Sequence, residues 1–505
     1  MPTLEAAKNL SLIYYLSGVS AIGSAAMDWA RARKRFLLYA ALFLFTLFPW
    51  GEYARAYSLL THEQLIDLTW TDSIVPLLLR SYPTLTAEEL EQARAYAYGG
   101  CVIQDIGYYP YGDQSFSNLT HYVRSGDFVV NLFRNASNAN ELAFAVGALS
   151  HYIGDSEGHS LATNRAVPIE FPKLRKKYGS TVSYAQGKHE HVQTEFAFDI
   201  NEISHHRMAP FRYLKHIGLA VPWRQLALAY YQTYGLTEEF AGTRSERLNV
   251  HEYQFAVRSF IPRIAYAVTI LHRKVEPPDP NTEEIVALRK KVAEVSAENH
   301  WDEYRERPGL GTYSLAVLLF ILPKIGPLKM AAVKGPRVDT EAEYVHSVSV
   351  STASLRHMLA RFTAPPSGRP GNASSSPTDA PSRGSTVLVG SDHSDGPVHR
   401  DPRHPLQNRD LDTGYVVRPG GYPLTDSTYA NLLHRLTRQP TQPIPPGIKK
   451  DIETYYDNPD SPITTKKNPD AWKQVLADLD TLGTMPTSSE PTPFPTYGDD
   501  EEDLQ

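Results

Sequence analysis

Leu142, Val146, Leu149 and Ile153 recur at helical spacing behind Asn138, with Glu141 three positions after that residue. The pattern predicts an amphipathic helix that opens on a capping box and stops at Gly154 and Gly158. A second helix is expected over residues 190–200, with Phe196 and Ile200 facing inward, and Thr86 with Glu89 opens another. Helical periodicity returns at 251–272 and 283–298, separated from the earlier elements by a turn at 237–242. No strand-rich block interrupts this pattern, so the fold class is all-α. Two apolar runs stand apart. One, at 36–48, follows Arg31, Arg33, Lys34 and Arg35 and precedes Ala54-Arg55-Ala56, the order of a signal peptide with its small-x-small cleavage site. The other is unbroken from Leu315 to Leu322 and is fringed by Lys324, Lys329 and Lys334. Eight residues are too few to span a bilayer. The run fits either a buried helix or an interfacial contact with a membrane.

Composition adds domain organisation. The chain has 505 residues, 42% hydrophobic and 21% charged, and carries a formal charge of -6. Residues 1–56 form a leader with six Lys/Arg and three Asp/Glu, so their removal would bring the charge to -9. A mildly acidic product lacks the clustered basic charge of a nonspecific nucleic-acid binder. Met27 is an alternative start, and 10–26 an alternative transmembrane segment that would leave the chain membrane-anchored. Residues 57–335 are expected to form the main helical domain and 336–362 a helical extension. Residues 363–409, dense in Pro, Ser, Gly, Asp and Arg, read as a disordered linker. Residues 410–484 form a small, partly helical segment that either folds back or stays loose, and 485–505 a disordered acidic tail.

The candidate chemistry lies between positions 57 and 195. Nine zinc-type ligands occur there in order: the amine of Tyr57 if cleavage follows Ala56, then His62, Asp105, His121, His151, Asp155, His159, His191 and Glu195. His151 with Asp155 and His191 with Glu195 are spaced four apart, which puts each pair on one helix face. Structural zinc sites usually recruit thiolates, and Cys101 is the only cysteine, so the set suits a catalytic site. His189 lacks the offset to Glu195 and is expected to face solvent. The adjacent His205 and His206 diverge by about 100° on a helix and are expected at the surface. Tyr108, Tyr109 and Tyr111 either stack a substrate or wall a cleft.

The segments AYAYGGCVIQDIGYYPYGDQSFSNLTHYVRSGDF, ELAFAVGALSHYIGDSEGH and HVQTEFAFD resemble the bacterial zinc-dependent phospholipase C family, whose fold is shared with the single-strand-specific zinc nucleases. The resemblance runs from about residue 57 to 335. It implies a mainly helical domain with three Zn²⁺ ions at the floor of a cleft. Asp105, His121, His151 and Asp155 would hold the first ion, and His159, His191 and Glu195 the second. His62, a bridging Asp155 and the amine and carbonyl of Tyr57 would hold the third. The implied activity is secreted or periplasmic phosphodiester hydrolysis of phospholipid, releasing diacylglycerol and a phosphorylated head group, with Asp105 as candidate base. Two aromatic positions of the family's choline pocket are Ile106 and Asn118 here, which removes the basis for assuming that head group. The alternatives are a single-strand nuclease or nucleotidase acting on nucleic acid, and a non-catalytic zinc-carrying surface interaction protein.

Overall fold

The computed structural model describes residues 59–108, 112–237, 261–272, 282–305, 309–321, 333, 335–363 and 406–489. The chain divides into two units, Met1–Gly51 and Glu52–Gln505, and every described residue belongs to the second. Among the described residues there are many helices and no strand, only two isolated bridges, Arg409 with Val416 and Ile444 with Thr487. The all-α expectation therefore holds.

The elements that matter for the site are α1 (Leu59–Thr69), α2 (Ala87–Cys101), α3 (Gln114–Tyr122), α4 (Ser125–Arg134), α5 (Ala139–Gly158), α6 (Lys188–Ser204), α7 (Trp223–Tyr234), α8 (Ile261–His272), α9 (Leu310–Ile321), α10 (Val338–Thr363), α11 (Pro423–Thr437), α12 (Pro446–Tyr456) and α13 (Pro469–Thr484). Thr86 and Glu89 make the expected reciprocal cap of α2. At α5, Asn138 caps the amides of Asn140 and Glu141, but the Glu141 carboxylate reaches Ser137 rather than closing a box on Asn138. Helix α6 is longer than the expected 190–200 because its first turn starts directly after Gly187.

Helix α5 is the central element and is buried almost throughout. Its crossing with α2 is a backbone-to-backbone contact. A methyl group added at Gly100 would stand 2.0 Å from the carbonyl oxygen of Phe144, and one at Gly147 would stand 2.2 Å from that of Ala97. Only glycine permits this approach. The consequence is positional, since it brings the end of α2 and the following 3₁₀ turn Ile103–Tyr108 against the C-terminal half of α5.

Gly154 does not stop α5, contrary to the sequence reading, whereas Gly158 is the last residue of the α-helix as expected. The chain continues through a wide π turn, His159–Thr163, into the helix Asn164–Glu170. Gly154 serves a different purpose: a methyl group there would meet Leu65 Cδ1 at 2.8 Å and His62 Nδ1 at 3.4 Å. Its hydrogen lets α1 lie against α5. Thr61 Oγ1 donates to Asp199 at 2.8 Å, Gln64 Nε2 to Glu202 at 2.9 Å and Tyr344 Oη to Gln64 at 3.0 Å, so α6 and α10 fix α1 from the other side.

The 410–484 segment folds back onto this core, together with the described residues 406–409 ahead of it. Helices α11, α12 and α13 bury Tyr429, Leu432, Leu433, Ile448, Ile452 and Leu482. Ahead of them, residues 406–417 lie along α3, α4 and α5. Tyr152 Oη donates to the Gln407 carbonyl at 2.7 Å, Ser125 Oγ to the Arg409 carbonyl at 2.6 Å, and the Leu411 amide to the His121 carbonyl at 3.1 Å. No helix among the described residues is long and apolar enough to cross a membrane.

Candidate metal centre

Eight of the nine expected ligands fall within the described residues and converge, while Tyr57 lies outside them. They arrive from six elements. His62 comes from α1, Asp105 from the 3₁₀ turn after α2 and His121 from the last turn of α3. His151 and Asp155 come from α5, His159 from the π turn, and His191 and Glu195 from α6. None is more than 2% exposed. His159 reaches the centre on the continuing helical path after Gly158, not on a turn that doubles back.

Three groups have ligand atoms close enough to share an ion: His62, His151 and Asp155; Asp105, His121 and His151; and His159, His191 and Glu195. Ligands about 2.0–2.1 Å from one tetrahedral Zn²⁺ stand about 3.3 Å from each other. His121 Nε2 lies 3.3 Å from Asp105 Oδ1 and 3.3 Å from Asp155 Oδ2, and His151 Nε2 lies 3.2 Å from that same Oδ2 and 3.4 Å from His121 Nε2. The other Asp155 oxygen, Oδ1, is 3.3 Å from His62 Nε2 and 4.0 Å from His159 Nε2. His159 Nε2 and His191 Nε2 lie 3.3 Å and 2.9 Å from Glu195 Oε1. Asp155 thus presents one oxygen to each side of the cluster.

The donor set fits a divalent cation on two further observations. Both carboxylate oxygens of Asp155, Oδ1 of Asp105, Oε1 of Glu195 and both ring nitrogens of His191 are buried without a hydrogen-bond partner. Leaving so many polar atoms unsatisfied together costs several kcal/mol in total, by an order-of-magnitude reckoning of about 1–3 kcal/mol each, and a shared cation removes that cost. Outer contacts also aim the rings. His151 Nδ1 donates to the Cys101 carbonyl at 2.8 Å and His121 Nδ1 to the Ser117 carbonyl at 2.7 Å, which leaves both Nε2 lone pairs facing inward. These two carbonyls had no signal in the sequence, because backbone groups carry none.

The electrostatics divide the cluster. Burial opposes charge on Asp155, yet His151 and His159 beside it hold its carboxyl well below the usual range. Burial also opposes charge on His121, but the carboxylates of Asp105 and Asp155 beside it raise it to about 10. On the other side, burial dominates: it pushes Glu195 well above the carboxylate range and His191 down to about 4. Metal binding replaces protons on both sides of the cluster.

Other expected site residues fall as follows. Tyr108 packs its ring 5.3 Å from that of His121 and donates to Asn118 at 3.1 Å, while Tyr109 and Tyr111 lie outside the described residues. His189 is exposed. His205 Nδ1 pairs with the Asn201 carbonyl at 2.9 Å, away from the centre. Crevices of about 410 Å³ beside Gly235 and Arg438 and about 340 Å³ beside Asn118 and Asn431 are lined by none of the eight residues. The residue absent from the sequence reading is Asp412, whose Oδ1 lies 3.8 Å from His159 Nδ1.

An all-α scaffold that buries five imidazoles and three carboxylates in this arrangement, with no thiolate among them, has the donor set of a catalytic rather than a structural zinc protein. Residues 61–240 match the family model described as zinc dependent phospholipase C. The match contains all eight converging residues and ends before α8. No curated protein and no solved structure matches the chain.

Proposed function

We propose that the chain is an exported zinc-dependent phosphodiester hydrolase acting on phospholipid head-group esters, with three ions held as the resemblance implies. Asp105, His121, His151 and Asp155 take one ion, and His159, His191 and Glu195 a second. His62, Asp155 and the freed terminus at Tyr57 take the third. The observation that carries this reading is the Asp155 carboxylate, whose two oxygens face separate sets of imidazoles at ligand-to-ligand spacing.

Bound zinc would supply an activated water and neutralise charge on the phosphoryl oxygens. The protein's own contribution is order. Cys101 and Ser117 lock the tautomers of His151 and His121, and burial keeps bulk water from competing for the carboxylates. Asp105 is the candidate base: Oδ1 is turned to His121, and Oδ2 is the atom that would take the proton of the attacking water.

Ile106 and Asn118 favour a second reading within the same chemistry. Ile106 is half-buried and the Asn118 carbonyl is held by Tyr108, so neither presents the aromatic face that a quaternary ammonium prefers. A nucleotide or single-stranded nucleic acid is the substrate of that reading. Parallel assays on phosphatidylcholine, phosphatidylethanolamine, single-stranded DNA and bis-p-nitrophenyl phosphate separate the two. The lipid reading expects a phosphatidyl substrate to be cleaved best, and preferential cleavage of DNA would reverse it.

Helix α9 supports a lipid interface. Ala316 and Leu319 are buried, whereas Leu310, Tyr313, Val317 and Ile321 are exposed along the opposite face. The apolar run is therefore core on one side and open on the other, while Leu322 and the lysines after it lie outside the described residues. Val317→Glu with Ile321→Glu is expected to lower turnover on vesicles at least several-fold and to leave bis-p-nitrophenyl phosphate hydrolysis unchanged. Equal loss on both substrates would rule out the interfacial role.

Export follows from the leader. N-terminal sequencing of secreted protein is expected to begin at Tyr57. A start elsewhere would remove the terminal amine from the ligand set and leave the other eight residues untouched.

A further inference from the structure

The metal centre receives one contribution from beyond the family-matched segment. After Asn408 the chain makes a tight turn, Asp410-Leu-Asp-Thr-Gly414. Asp410 accepts from the Asp412 amide at 3.0 Å and from Thr413 Oγ1 at 3.0 Å. Gly414 has a φ of +73, and a methyl group there would lie 2.4 Å from the Ser156 carbonyl oxygen, so the turn sits directly on α5. The Leu411 amide donates to the His121 carbonyl at 3.1 Å and Asn164 Nδ2 to the Asp412 carbonyl at 2.7 Å. Asp412 is thereby pinned between two ligand-bearing parts of the fold.

Its side chain is 1% exposed. Tyr122 Oη at 2.9 Å and Tyr422 Oη at 2.6 Å both donate to Oδ2. Oδ1 has no hydrogen-bond partner, and it lies 3.8 Å from Nδ1 of His159, whose Nε2 faces Glu195 Oε1 at 3.3 Å. A carboxylate kept only to bind the two tyrosines would gain by sharing them between its oxygens. Here both converge on one oxygen, and the other is turned to the imidazole. Metal-bound histidines commonly hold a carboxylate on their outer nitrogen, which fixes the ring and strengthens the inner nitrogen as a ligand.

We propose that Asp412 is a positioning residue of the metal centre: its Oδ1 accepts the Nδ1 proton of His159 and keeps Nε2 directed at the ion shared with His191 and Glu195. The proposal rests on the zinc reading of the site. The present gap exceeds a hydrogen bond, and the metal-loaded centre is required to close it. The residues 406–417 are then part of the site, not an appendage to it.

The test is zinc stoichiometry by elemental analysis, and affinity by competition with a chromogenic chelator, on the full mature chain and on Asp412→Asn, Asp412→Ser and Tyr422→Phe. Thermal unfolding is measured on each. Asp412→Asn and Asp412→Ser are expected to bind one ion about 10–100-fold more weakly and to keep the others, and substitution by Co²⁺ should show an altered visible spectrum for that ion alone. Tyr422→Phe, which removes a hydrogen bond but leaves the carboxylate, is expected to lower thermal stability and leave every affinity at the wild-type value. Wild-type affinities in both Asp412 variants would overturn the proposal, as would loss of the same ion in Tyr422→Phe, which would show that seating of the segment matters and the carboxylate does not. A wild-type chain that binds no zinc would overturn the zinc reading itself, and the proposal with it. The two serve as alternates, so a folding failure of Asp412→Asn leaves Asp412→Ser to decide.

Discussion

Asp155→Asn is expected to empty the centre of more than one ion and to cut hydrolysis more than about 100-fold, beyond the upper end of what outer partners of metal ligands contribute. The reason is geometric. Oδ2 stands 3.3 Å and 3.2 Å from the ligand nitrogens of His121 and His151, while Oδ1 stands 3.3 Å from that of His62. An amide keeps the shape but loses the charge and offers one acceptor instead of two. His159→Ala touches only the group with His191 and Glu195 and is expected to lose a single ion. Elemental analysis of the two variants side by side decides the matter. Loss of one equivalent from each would contradict the bridging role of Asp155.

Deleting residues 406–505 is expected to abolish soluble folded protein, although the family-matched segment would be intact. The deletion strips buried partners from the core: the Asp412 acceptor of Tyr122, the Gln407 carbonyl acceptor of Tyr152, the Asn408 acceptor of the Asp127 amide and the Asp412 carbonyl acceptor of Asn164. Each buried polar group left without a partner costs about 1–3 kcal/mol, and a domain's whole net stability is about 5–15 kcal/mol. Leu406, Leu411 and Val417, all buried, are removed as well. Circular dichroism and thermal unfolding of a chain ending at residue 405 test this. A cooperative transition at the temperature of the full chain would show that the C-terminal segment is dispensable for folding.

How far the site was legible depended on where its residues come from. His151 with Asp155 and His191 with Glu195 could be placed because each pair lies on one helix, where spacing alone decides the face. His62, Asp105 and His121 sit on separate elements, and no local pattern brings them together. Their grouping came from the resemblance, and the contacts that execute it are the glycine crossing of α2 with α5 and the glycine notch that admits α1. Gly154 was misread for a physical reason: glycine marks helix ends and close helix contacts alike, and here the contact with Leu65 and His62 is what requires it. The fold-back of the C-terminal segment had even less signal. Asp412 bonds to Asn164 across 248 positions, and its turn sequence would look the same in a loop that touched nothing. The capping box of α2 needed no tertiary information and was read in full.

The most direct test of the central claim is hydrolysis measured against zinc equivalents. Full-length mature protein is stripped with a chelator, shown by circular dichroism to remain folded, and titrated with Zn²⁺ while its best substrate from the phosphodiester panel is assayed. Hydrolysis is expected to be absent at the start, to rise with added zinc and to level off at three equivalents per chain. Activity that survives stripping would contradict zinc catalysis, and a plateau at one equivalent would contradict the three-ion centre built around Asp155.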